Sequence, residues 1–272
     1  MTVEWRPSDR RIAPPYPFTS TTAFGDAAMS ASPPSTRPHL LVLGQVELVH
    51  AQGPSPERSR RACGEYLAWI LRHPGHGATE MARDLLVAEA TRRSNMSRLR
   101  SWLGRMPDGT LYLPDAYSGR VHVDGSISSD WDDLTLLVAP GIERTGDDAL
   151  RQALGLVRGA PLADTAPGQW HWAEAWRVDM ITTIRQLGVT LAQRALERRD
   201  LDLARWATGH ALLADPGDEQ LMIARIRTEH LASNHTEVHR LMLHVAAQAR
   251  ALGVELSDEM ADLFQEVSEE VP

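Results

Sequence analysis

Four arginines, Arg92, Arg93, Arg98 and Arg100, fall close together in the chain, with Ser94 and Asn95 between them. A guanidinium carries its donors in a planar fork, which suits phosphate oxygens and the edge of guanine. Serine and asparagine add short hydrogen-bonding groups that can reach bases. The chemistry this cluster predicts is non-covalent recognition of double-stranded DNA, with Arg120 as a further phosphate contact. Arg92 and Arg93 are placed for base edges or the nearest phosphates. At least one of Arg98 and Arg100 is expected to face the protein or a phosphate. The plain alternative is a solvated helix face, and for Ser94 and Asn95 an ordinary surface position is the preferred reading.

Other reactive side chains form no constellation. His235 and His239 have the i,i+4 spacing of a metal pair, but the H-E-x-x-H glutamate is missing and no cysteine lies nearby, so they read as surface or packing residues. His73 and His76 flank glycine and proline in a turn and are expected in solvent. Cys63 is the only cysteine, which excludes an intramolecular disulfide, fits a cytoplasmic location and predicts a small buried apolar role. Asp132-Asp133, Asp147-Asp148 and Glu269-Glu270 read as helix caps or tail. No G-x-S-x-G, P-loop or G-x-G-x-x-G occurs. The reading is of a protein that is not an enzyme, with no cofactor and no metal.

The arginines need a helix to present them. From Ala90 to Gly104, Met96, Leu99, Trp102 and Leu103 repeat at helical spacing, the arginines are expected opposite them, and Gly104 stops the helix. Glu80 to Leu86 is a short helix upstream. Thr110–Leu113 and Arg120–Val123 form a strand–turn–strand downstream. Helix, basic helix and hairpin is the order of a winged helix-turn-helix, whose basic helix enters the major groove. Leu40 to Val49 reads as one or two strands broken at Gly44, and Arg58 to Arg72 as a helix ended by His73-Pro-Gly-His-Gly77. Residues 1–38 are proline-rich and lack periodicity, so a flexible tail is expected there, dispensable for folding. The N-terminus has no secretory h-region, and no run approaches a membrane span.

From Asp147 the chain reads as helices over 148–157, 170–198, 201–214, 218–232, 235–252 and 258–267. Trp172 and Trp176 fall on the packing face of the long one. Leu191, Ala192, Ala204, Ala211 and Pro216 match one 34-residue tetratricopeptide unit. A shift of that length maps Arg199-Asp200 onto Ser233-Asn234, with Val238, Met242 and Val245 as a poorer second copy.

A net charge of −8 argues against indiscriminate nucleic-acid binding, but the charge is unevenly spread. Residues 58–105 carry ten arginines against four acids, whereas 106–150 carry two against nine. All 28 basic residues are arginine, so arginine identity alone is weak evidence for phosphate.

Several of these segments resemble the actinobacterial antibiotic-regulatory protein family with its bacterial transcriptional activator domain. The matches are Leu43-Gly44 with Val46-Glu47-Leu48, Met96-Ser97-Arg98-Leu99-Arg100 with Leu103-Gly104, and Arg158-Gly-Ala-Pro-Leu-Ala-Asp164. Trp172-Ala-Glu-Ala175, Ala214-Asp-Pro216, and Leu252-Gly-Val-Glu255 followed by Glu259 extend them. The likeness spans about residues 39–268 and is tighter in the second half. Trp102-Leu-Gly104 and Asp130-Trp131 are most similar to a subgroup forming the C-terminal end of LysM-containing, membrane-anchored proteins, and the resemblance leads to the expectation of either a fragment of such a protein or a free-standing relative. Two positions depart from the family pattern. Arg92 replaces an aliphatic residue one turn before Met96, and Val87-Ala-Glu-Ala90 replaces a Leu-Trp-Pro-like turn.

The expected fold is mainly α with a small β component. A winged helix-turn-helix over 39–140 is followed by a tetratricopeptide-like helical domain over 141–268 and a short acidic tail at 269–272. The resemblance implies a transcription regulator whose partners are DNA and RNA polymerase, with the helical domain mediating polymerase contact or homodimerisation. The alternative is an interaction scaffold whose winged helix has lost DNA binding, and the acidic balance and Arg92 favour it.

Overall fold

The computed structural model describes residues 37–115, 119–165 and 169–269. The tail expected at 1–38 therefore lies outside the described residues except for its last two positions, as does Glu270.

Three short strands open the fold: β1 (His39–Leu41), β2 (Glu47–Val49) and β3 (Ser128–Ser129), in the order β2-β1-β3. β1 pairs antiparallel with β2, Leu40 opposite Leu48, and parallel with β3, Leu40 opposite Ser129. Gly44 turns the chain between β1 and β2 at φ +154°, and a Cβ there would lie 3.1 Å from Arg158 Cβ, so glycine allows a second segment to approach. The strand β3 is an addition to the elements expected from the sequence. Its Ser129 also caps the next helix, accepting from the Asp132 N–H while the Asp132 carboxylate accepts from the Ser129 N–H.

The helices α1 (Arg60–Arg72), α2 (Ala78–Asp84) and α3 (Glu89–Leu103) follow the expected positions, with a 3₁₀ turn at Glu57–Ser59 before α1. α1 packs on α3 through Cys63, Tyr66, Met96 and Leu99, and Gly104 ends α3 at φ +80°. The wing departs from the expected hairpin: among the described residues, 110–113 and 120–123 form no strand pair. Instead each arm binds the segment nearest to it. Met106 N–H donates to Thr110 O at 2.8 Å, and Arg105 bridges Leu111. Val121 N–H donates to His76 O at 3.0 Å, and Arg120 bridges Gly77. The Asp108–Gly109 turn folds the first arm back on the end of α3 before it can pair across, and Pro114 has no N–H to donate. The arms meet at the Asp124 N–H to Tyr112 O bond, 2.8 Å.

The remaining helices are α4 (Asp130–Leu137), α5 (Asp147–Gly155), α6 (Glu174–Glu197), α7 (Leu201–Ala211), α8 (Glu219–Leu231), α9 (His235–Leu252) and α10 (Asp258–Glu269). One apolar core runs without a break from Leu40 of β1 to Ala224 of α8, and a second joins α8, α9 and α10. The 34-residue shift also holds in backbone geometry at the two inter-helix turns. Arg199 and Ser233 have φ +56° and +55°. Asp200 N–H donates to Ala195 O at 2.8 Å, and Asn234 N–H to Glu229 O at 2.9 Å. The Asp200 and Asn234 side chains then cap α7 and α9. Leu191, Ala204 and Ala211 are fully buried where α6, α7 and α8 stack. Gly188 shows how close that stack is, since a Cβ there would come within 2.4 Å of Ala211 Cβ.

Such a seam has no room for larger groups. Ala204→Leu is expected to cost about 1–3 kcal/mol by overpacking, read as a lower thermal midpoint. An unchanged midpoint would contradict the close stacking of α7.

Candidate nucleic-acid interface

The face of α3 away from the core presents Ala90, Thr91, Arg93, Ser94, Ser97, Arg98 and Ser101 to solvent. Two of the expected contact residues are elsewhere. Arg92 is 9% exposed and Asn95 is 7% exposed, because positions 92, 96, 99 and 103 follow the helical repeat of the buried face. Arg92 therefore occupies an apolar position, its stem in the core and its guanidinium turned along the helix. Glu89 satisfies it in bidentate fashion, at 2.9 Å to Nε and 2.7 Å to Nη2. The Tyr66 phenol lies beside this pair, and burial pushes its pKa up.

Arg100 is also withdrawn from the open face. It donates from Nε to Leu113 O at 2.9 Å and pairs from Nη2 with Asp115 at 2.8 Å, tying α3 to the first arm of the wing. Arg93 and Arg98 remain outward. The Arg93 side chain is 74% exposed, and its Nε donates to Glu89 at 2.9 Å. Arg98 is exposed and donates to Asn95 Oδ1 at 2.9 Å, so the buried Asn95 orients an arginine. Ser94 is exposed beside Arg93, and Arg120 is exposed at the base of the second wing arm. Hydrogen bonds from Arg92 and then Arg93 hold the Glu89 carboxyl at about 2, so it is charged throughout the working range.

Glu89 is a site residue that the arginine pattern alone does not pick out. A signal for it exists in the sequence: it stands three residues before Arg92 and four before Arg93, the spacings at which helical side chains meet.

The winged helix is fixed to the helical part by the Arg158–Asp164 segment. Arg158 N–H donates to Leu43 O at 2.7 Å, Leu162 N–H to Val42 O at 3.0 Å, and Ala163 N–H to Gly44 O at 3.0 Å. Asp164 accepts from the Val46 N–H at 3.0 Å. Asp130, 2% exposed, accepts from Val42 and Leu43 N–H at 2.7 and 3.1 Å and pairs with Arg158 at 3.2 Å. Burial raises its pKa, and those donors pull in the opposite direction.

Aromatic rings make a second junction. Trp69 of α1 stacks on His73, whose ring meets Trp172 edge-on at 5.6 Å. Trp172 stacks with Trp170 and Trp176, donates to Glu65, and so packs against α1. His73 is thus half-buried in packing, contrary to the expectation of solvent exposure, whereas His76 is exposed. Cys63 is fully buried, and loss of water pushes its thiol to about 11. His235 and His239 are exposed on α9. No described helix is long and apolar enough to cross a membrane.

No family model matches the chain, and no curated protein sequence matches it. Among solved structures, Mycobacterium tuberculosis EmbR, in complex with a low-affinity phosphopeptide, is similar with a TM-score of 0.59 at 17% sequence identity. The likeness covers 87% of this chain and 66% of the EmbR chain. At that identity it establishes architecture: this chain has a mainly helical fold in which a winged helix-turn-helix precedes a helical part.

Proposed function

We propose that this chain is a DNA-binding transcription regulator. α3 enters the major groove, Arg93, Ser94 and Arg98 face the duplex, and Arg120 meets a phosphate from the wing. Arg92, Asn95 and Arg100 hold the helix in place. The helical repeats take a protein partner, either RNA polymerase or a second copy of the chain. The observation that carries this reading is the uncovered polar face of α3 in a winged-helix setting. The fold shared with EmbR supports it.

The pairing of Glu89 with both Arg92 and Arg93 favours the second reading, a protein-interaction scaffold, because it cancels charge at the end of α3 nearest a groove.

A salt-titrated binding assay on random and genomic duplexes separates the two. Arg93→Ala is expected to weaken specific binding by about 1–3 kcal/mol and relax preference at one position if Arg93 reads a base. If it meets a phosphate, all sequences weaken alike and the salt slope falls by about 1. A wild-type chain with no salt-dependent affinity tighter than about 10⁻⁴ M at physiological salt would overturn the DNA reading in favour of the scaffold.

A further inference from the structure

We propose that Glu89 sets the DNA affinity of α3 by competing with the duplex for Arg93. The proposal rests on the reading of α3 as the DNA-facing helix. Its starting point is Arg92, an arginine in an apolar position of a buried helix face. A guanidinium held there needs a carboxylate, and Glu89 supplies one through two hydrogen bonds. Those bonds pin Glu89 in the first turn of α3. Its Oε1 also accepts from Arg93 at 2.9 Å, and half of its side chain stays open to solvent.

A phosphate approaching that turn therefore meets a fixed carboxylate, already holding the cation it would recruit. The exchange is possible without orphaning Glu89, because Arg92 keeps both of its bonds when Arg93 leaves. Binding proceeds, but against the loss of one exposed ion pair and the repulsion between carboxylate and phosphate. The Arg92 departure and the muted charge of α3 thus have a single cause, and reversing either residue should move affinity in a defined direction.

The test uses the full chain as wild type, E89Q, R92L and E89Q/R92L, each titrated with salt on a random-sequence duplex and each melted. A leucine in place of Arg92 would complete the apolar stripe with Met96, Leu99 and Leu103, so the double variant keeps its fold even if E89Q alone strands Arg92. E89Q/R92L is expected to bind about 1.5- to 5-fold tighter than R92L, the range set by an exposed ion pair. Its log–log salt slope should stay close to that of R92L, because Arg93 neutralises the same phosphate in both. A purely structural role for Glu89 would move the melting midpoint and leave the affinity of the folded chain alone.

Equal affinity for R92L and E89Q/R92L, with wild-type binding intact, would overturn the proposal and leave the DNA reading standing. Salt-dependent binding by E89Q/R92L where the wild type shows none would overturn the DNA reading of the native chain and support Glu89 as the group that blocks α3. No binding by any of the four would overturn both.

Discussion

Asp130→Ala should cost about 3–5 kcal/mol, the range for removing one partner of a buried charged pair. The carboxylate stands at the first turn of α4, where the helix dipole favours it, and it is almost without water contact. It serves three donors on two other segments: the N–H groups of Val42 and Leu43, and the Arg158 guanidinium. Alanine strands all of them in a place where water cannot replace the lost bonds. Asparagine is the informative control. Its carbonyl oxygen can still accept from the backbone, so Asp130→Asn should lose mainly the Arg158 contact and cost clearly less. Urea unfolding followed by circular dichroism measures both. Equal midpoints for wild type and Asp130→Ala would mean that the Arg158–Asp164 backbone bonds and the aromatic junction hold the two halves together without Asp130. The functional consequence is geometric. The same carboxylate fixes β1, α4 and the entry to the helical part, so under the proposed function a partner of the helical part would stand in a defined orientation to α3.

Much of this fold is legible in the sequence, and what is not shares one physical character. Helix positions and the 34-residue repeat follow from periodicity, because apolar spacing is a local property of the chain. The turn pairs Arg199-Asp200 and Ser233-Asn234 align by sequence alone, and their backbone geometry agrees. The placement of charged side chains is harder to read. Charge puts Arg92 on the open face, although its number puts it in line with Met96 and Leu99. Periodicity is the better guide, because a long stem can be buried when its head finds a carboxylate. β-rich composition suggests the wing strands, but pairing is non-local, and each arm finds a nearer backbone partner. The Arg158–Asp164 run is visible only as a family likeness. Its role depends on Gly44 and Asp130, far away in sequence, and no spacing rule connects them.

The repeat also contains its own exception, and this yields the other large effect. Ala195 in the first unit corresponds to Glu229 in the second, and Glu229 is 1% exposed. Arg205 of α7 donates to it from Nε at 3.0 Å, Arg225 pairs with it at 3.2 Å, and Asn234 of the next turn donates at 3.1 Å. Glu229→Ala restores the residue of the first unit, yet it should destabilise by about 3–5 kcal/mol, because two partly buried guanidiniums lose their common anion. Replacing the set together, with Glu229→Leu, Arg205→Met and Arg225→Met, should recover most of that loss, since apolar groups of similar volume remove the desolvation cost as well as the attraction. The damage should also be local. Glu229 lies where the main core hands over to the smaller cluster of α8, α9 and α10, and no tryptophan occurs beyond Trp206. In Glu229→Ala, helix content measured by circular dichroism should therefore fall at lower urea than tryptophan fluorescence changes. Coincident curves with wild-type midpoints would show that the buried charge cluster is dispensable, and that the second repeat is held by its apolar contacts alone.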